Sequence, residues 1–138
     1  MWAKSALVNI YADGSIVVAT PGAEIGQGLL TKTAQAVSYQ LGLLFADGEN
    51  PKGRPVDMGK IKFAPLDTSI TPNGAFTGGS TGSEGCAVAA MRACDQLVGR
   101  LKGALVSRRA LLCLLERRSV NSRAHLAHVL CFHFCRPV

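Results

Sequence analysis

The chain has 138 residues, 48% of them hydrophobic and 17% charged, with a formal net charge of +6. That length suits one domain with a real core and excludes a multidomain assembly within these residues. Residues 1–103 carry a net +1 and residues 104–138 a net +5, so the basic character belongs to the last quarter and gives the body of the chain no nucleic-acid signature.

The alternation of Ala6 to Tyr11 and the β-branched run Ile16 to Ala19 flank Asp13-Gly14. This predicts a two-stranded hairpin at roughly 5–20, because glycine tolerates the positive φ of a tight primed turn. Thr20-Pro21-Gly22 ends it. Leu30, Ala34, Val37, Leu41 and Leu44 then recur at spacings of three and four, which predicts a helix from about Gln27 to Leu44. Ala46 to Gly59 reads as a solvated loop, too polar and too broken by Pro and Gly to pack.

Lys60 to Leu66 alternates again and predicts a strand, placed at an edge by Pro65. Thr81-Gly82-Ser83-Glu84 fits a capping box ahead of the stripe Ala87, Ala90, Met91, Cys94, Leu97, Val98 and Leu101. Arg100, Lys102 and Gly103 mark the end of that second helix. The fold class expected is α+β (α/β): hairpin, helix, strand, helix, over residues 1–103. Residues 104–138 lose this periodicity and read as an irregular basic tail, disordered or helical.

Two glycine-rich turns carry the chemistry. The first is Gly22-Ala23-Glu24-Ile25-Gly26-Gln27-Gly28, and the second is Thr77-Gly78-Gly79-Ser80-Thr81-Gly82-Ser83. A glycine turn that opens a helix gathers free N–H groups at the positive end of the dipole, which suits a phosphate or other anion. The first turn lacks the glycine order of a dinucleotide fingerprint and the Gly-Lys-Ser/Thr of a P-loop. A plain strand-to-helix connection explains its spacing as well. Gln27 adds an amide that can donate and accept toward a ligand. The second turn sets four hydroxyls among three glycines; the bland alternative is a flexible linker that caps a helix.

Other candidates are weaker. His125, His128, Cys131, His133 and Cys135 match no zinc spacing and are not read as a metal site. Arg108, Arg109, Arg117 and Arg118 flank a Leu-rich patch, which a solvated tail explains without a membrane. Residues 1–103 contain no histidine, and no catalytic constellation is visible. Cys94 lies on the apolar stripe and is expected to be an inert core thiol. Five cysteines without framework spacing do not suit a secreted disulfide scaffold. The N-terminus lacks a signal-peptide h-region, and no apolar run nears the ~20 residues of a membrane span. A cytoplasmic setting is expected.

The runs Ala6-Leu7-Val8-Asn9-Ile10-Tyr11-Ala12-Asp13-Gly14-Ser15 and Gly22 to Lys32 together resemble the molybdenum hydroxylases, the xanthine dehydrogenase and aldehyde oxidase family. The similarity is to their molybdopterin-binding domain. Asp67-Thr68-Ser69, Pro72-Asn73-Gly74 and Phe76 to Glu84 extend it in order, in a form similar to the plant-type aldehyde oxidases. It covers about residues 5–102, with a longer loop near 46–59 than the family carries.

The resemblance implies a molybdenum–molybdopterin cofactor contacted by Ile25, Gly26, Gln27 and Gly28, and lined by Thr77, Gly78, Gly79, Ser80 and Thr81. The family often has Met or Leu where Ile25 stands. It implies a parent oxidoreductase acting on an aldehyde or N-heterocycle, with iron–sulfur clusters and FAD elsewhere in that parent. The remainder of that enzyme, or a second copy in a homodimer, is the implied partner; nucleic acid and membrane are not. The family's catalytic Gly-Glu motif has no counterpart after Gly103, so a partial domain, inactive alone, is expected. Two other readings remain open on the residues alone. One is a small α/β module for another phosphorylated ligand. The other is a non-enzymatic interaction protein with a basic tail.

Overall fold

A computed structural model of the chain describes residues 4–46 and 48–104. The hairpin forms as strands β1 (Leu7–Ile10) and β2 (Ile16–Ala19), paired antiparallel with Leu7 opposite Ala19 and Ile10 opposite Ile16. The connection is longer than a two-residue primed turn. Tyr11 N–H donates to Ser15 O and Gly14 N–H to Tyr11 O, both at 2.9 Å, and Gly14 takes φ +82°. The Asp13 carboxylate accepts from both the backbone N–H and the hydroxyl of Ser15, at 2.9 and 2.7 Å. Those bonds hold its carboxyl below the usual range.

Strand β3 (Ile61–Phe63) lies parallel to β2, giving the order β1-β2-β3. Among the described residues it stands at the sheet edge, although Pro65, on which that expectation rests, lies beyond the strand. Helix α1 (Leu29–Gly42) continues into a 3-10 turn at Leu43–Phe45, and helix α2 runs Gly82–Ala104. Both helices pack on one sheet face. Val8, Ile16, Val18 and Ile61 from the sheet meet Val37 and Leu41 of α1 and Ala90, Cys94 and Leu97 of α2. Between the helices, the Gln40 side-chain amide donates to the Asp95 carboxylate. The two apolar stripes visible in the sequence are thus the two faces that close the core.

The loop before β3 is exposed over most of its described length, as expected, and departs from expectation at Gly53 and Val56, which are buried. Val56 is buried in the core, its N–H donates to Ser38 O at 3.1 Å, and Ser38 Oγ returns a bond to Val56 O at 2.5 Å. Arg54 N–H donates to Gly42 O at 3.3 Å. This backbone-on-backbone approach requires glycine on both sides. A Cβ at Gly42 would fall 2.7 Å from Arg54 O, and one at Gly53, whose φ is +65°, would fall 2.1 Å from Gly42 O. A polar, Gly/Pro-broken sequence hides this packing because backbone atoms and a single valine make it.

The basic helix, the Arg pairs and the His/Cys cluster considered above lie outside the described residues. No helix among the described residues is long and apolar enough to cross a membrane.

Candidate cofactor-binding site

The two glycine turns meet. Strand β2 ends at Ala19 and the chain turns through Pro21 and Gly22 against residues 74–77. A Cβ at Gly74 would fall 2.2 Å from Pro21 Cβ. A Cβ at Gly22 would fall 2.7 Å from Cys86 Sγ and 2.8 Å from Leu29 Cδ1. Ala23 N–H donates to Thr77 Oγ1 at 2.9 Å. Leu29 is fully buried and also approaches Gly82. The seam therefore consists of missing side chains on one strand of loop and a leucine and a thiol filling the space.

The Thr77–Ala23 bond joins turns 54 residues apart. Thr77→Val would leave a part-buried N–H without its acceptor, an expected loss of about 1–3 kcal/mol in chemical denaturation. A variant as stable as the parent would show that this bond does not join the turns.

Within the first turn, the N–H groups of Ile25, Gly26 and Gly28 are engaged. Gly26 and Gly28 N–H donate to Glu24 Oε1 at 2.9 and 3.0 Å, and Leu30 N–H donates to Glu24 Oε2 at 2.9 Å. Ile25 N–H donates to Gln27 Oε1 at 2.6 Å, and Gln27 Nε2 donates to Ala23 O at 2.8 Å. The expected anion cradle at this helix start is thus occupied from within, and the Gln27 amide braces its own loop. A signal for this exists: α1 has glycine at its N-cap and no acid in its first turn, which leaves its N–H groups open to a carboxylate from just upstream. Helix α1 also starts at Leu29, two residues later than predicted, which leaves Gln27 in the turn.

In the second turn, Gly79 and Ser80 both take left-handed conformations, φ +63° and +57°. Thr81 N–H and hydroxyl both turn back to Gly78 O, at 3.5 and 3.3 Å. No capping box forms, because the two left-handed residues aim Thr81 at that carbonyl and away from the helix. The Lys4 ammonium, on a side chain only 7% exposed, donates to Ala75 O and, at 3.1 Å, to Phe76 O. Gly85 allows it in: a Cβ there would meet Lys4 Cγ at 2.9 Å. Sequence reasoning missed this lysine, which lies just ahead of β1.

The surface above the seam is open. A Cβ at Gly26, Gly28 or Gly79 would meet nothing within 4 Å. Ile25 and Phe76 stand 81% and 60% exposed, one on each turn.

The sequence of this chain has relatives among known proteins. A family model described as a molybdopterin cofactor-binding domain matches residues 1–113. The chain belongs to the molybdopterin cofactor-binding domain family. It is 42% identical over 102 residues to an indole-3-acetaldehyde oxidase of Arabidopsis thaliana, covering 74% of this chain and 7% of that protein. It is 42% identical over 95 residues to an abscisic-aldehyde oxidase of the same plant, 69% of this chain and 7% of that protein. Against aldehyde oxidase 3 of Rattus norvegicus it is 38% identical over 98 residues, 71% of this chain and 6% of that protein. The match thus spans about 7% of the length of the curated plant relatives.

Two features set this molybdopterin-binding domain's own chemistry. Among the described residues no cluster of three His, Cys, Asp or Glu side chains could hold a metal ion directly. Its two described cysteines are buried and free. Burial, with a contribution from Asp95, pushes the Cys94 thiol up to about 12. Burial also raises Cys86, against the opposing charge of Lys4.

With Cys113, Cys131 and Cys135 replaced by serine, neither remaining thiol should label in the folded chain at about pH 8. Labelling at the unfolded rate would contradict this. The folded Cys94 thiol keeps its proton above its ordinary value of 9.0, so its contribution to stability is intact below that value and is lost as pH rises from there toward about 12.

Proposed function

We propose that this chain supplies part of the molybdopterin-binding surface of an aldehyde oxidase-like molybdenum hydroxylase. Ile25, Gly26, Gln27 and Gly28 of the first turn and Thr77, Gly78, Gly79, Ser80 and Thr81 of the second would line the cofactor. The observation that carries the reading is the seam. It sets two glycine turns, distant in sequence, side by side with open glycine faces above them.

The residues fit the group. A flat heterocycle needs close backbone approach, which Gly26, Gly28 and Gly79 permit, and hydroxyl partners, which Ser80 and Thr81 bring nearby. The exposed Ile25 and Phe76 side chains offer apolar contact on either side. When bound, the molybdenum–pterin group would supply the oxidation and oxygen-transfer chemistry. The role of this chain's residues is to hold and orient it. None of them is assigned as the base of the reaction.

The same reading places the aldehyde or N-heterocycle substrate, the iron–sulfur clusters and the FAD in the rest of the parent enzyme. In this reading residues 1–103 are the cofactor-binding unit, and the basic charge is concentrated in residues 104–138. The partner is that remaining enzyme or a second copy, in a cytoplasmic setting that suits the two free thiols among the described residues.

A chimera tests this. The matching segment of the Arabidopsis thaliana indole-3-acetaldehyde oxidase is replaced by residues 4–104. Molybdenum and pterin content close to that of the unaltered oxidase is expected. A folded chimera without either would refute the assignment.

A further inference from the structure

Helix α1 opens without a conventional cap. Gly28 stands at the N-cap with φ +74° and no side chain to offer, and Leu29-Leu30-Thr31 brings no acid to the first turn. Such an end exposes several N–H groups at the positive pole of the helix, and an anion is its natural complement. Here the anion is part of the chain. Both oxygens of Glu24 are engaged, Oε1 by Gly26 and Gly28 and Oε2 by Leu30.

We propose that Glu24 is a positioning and specificity residue that fixes the shape of the Ile25–Gly28 turn and closes the N-terminus of α1 to phosphate. The inference rests on the preceding reading only in counting this turn as part of a ligand site.

The carboxylate bridges the turn to the first helical residues, so the turn holds its shape before any ligand arrives. Gln27 completes it by accepting from Ile25 N–H and donating to Ala23 O. What the turn presents outward is then the Ile25 side chain and bare glycine backbone. A phosphate approaching the helix start would meet a resident negative charge that already holds the donors it needs. A phosphorylated ligand is therefore turned so that its uncharged portion lies on this turn and its phosphate lies elsewhere. The bonds from Leu30, Gly28 and Gly26 also hold the Glu24 carboxyl below the usual range, so the charge persists at neutral pH.

The test uses the full 138-residue chain, labelled with nitrogen-15, and inorganic phosphate at constant ionic strength. The amide signals of Gly26, Gly28 and Leu30 are followed. The unaltered chain should show no saturable response. Glu24→Ala should give a saturable response at all three amides, with phosphate binding at least about tenfold tighter than the limit set by the unaltered chain. Glu24→Gln keeps the length and one accepting oxygen, and should respond between the two. If Glu24→Ala does not fold, Glu24→Gln decides by the same amides.

Saturable phosphate shifts of equal affinity in the unaltered chain would overturn the proposal. So would a folded variant without any response. Neither result depends on whether the chain carries molybdopterin, so failure of the cofactor reading remains distinguishable.

Discussion

Leu29→Ala is expected to lower the unfolding free energy by about 2–5 kcal/mol, the cost of emptying a fully buried leucine site. The loss should fall on the site as well as the core. Leu29 Cδ1 lies 2.8 Å from where a Gly22 Cβ would be and 3.4 Å from where a Gly82 Cβ would be. It therefore fills the space between the end of β2, the start of α1 and the start of α2. Removing it leaves a cavity under both turns. Equilibrium denaturation measures the stability, and amide exchange at Ala23, Gly26 and Thr81 should quicken in the same variant. A loss below about 1 kcal/mol would mean that the seam can collapse around the smaller side chain.

Gly22→Val should damage the same seam from the other side. Its Cβ would fall against Cys86 Sγ and Leu29 Cδ1, both at less than 3 Å, and Cys86 is fully buried with nowhere to move. Overpacking of this kind costs about 1–3 kcal/mol, and more where neighbours are fixed. The chain must then shift Pro21 to Ala23 outward, which breaks the Ala23–Thr77 bond.

The two changes share a partner, so they should not add. Gly22→Ala combined with Leu29→Ala should cost less than the sum of the two single changes, because the truncated Leu29 leaves room for the new methyl. Strict additivity would show that Leu29 is not what Gly22 makes room for.

What could be read from sequence follows the range of the interactions. The alternation around Val8, Ile16 and Val18 and the stripes through Val37, Leu41, Cys94 and Leu97 report on one element each, and periodicity exposes them. The parallel pairing of β3 with β2 depends on a crossover through α1, which local patterns do not encode. Val56 enters the core from a polar loop on the strength of two glycines and one serine, too few signals to stand out. Lys4 carries no local signal of burial, and its partners, Ala75 O and Phe76 O, lie more than 70 residues away.

The candidate site divides in the same way. The glycines at 26, 28 and 79 stand in the two turns that the sequence singles out, and all three take positive φ. The electrostatics were not legible. A helix start drawn from its own sequence offers free N–H groups, but Glu24 reaches forward four residues to Gly28 and six to Leu30. The capping box failed for a related reason. Thr81 and Glu84 have the right spacing, yet the left-handed Gly79-Ser80 pair commits Thr81 to Gly78 O. Side-chain bonds within a turn are decided by backbone dihedrals that the residue types only partly constrain.

The central claim is that the two turns act as one cofactor surface, and the most direct measurement is cofactor content after altering one residue on each. Gln27→Ala and Gly79→Val are placed together in the oxidase chimera carrying residues 4–104. Molybdenum is measured by mass spectrometry and pterin by fluorescence after oxidative release, with flavin content as the control for folding. The prediction is loss of nearly all molybdenum and pterin with flavin retained. Undiminished molybdenum and pterin in that double variant would contradict the assignment of the site.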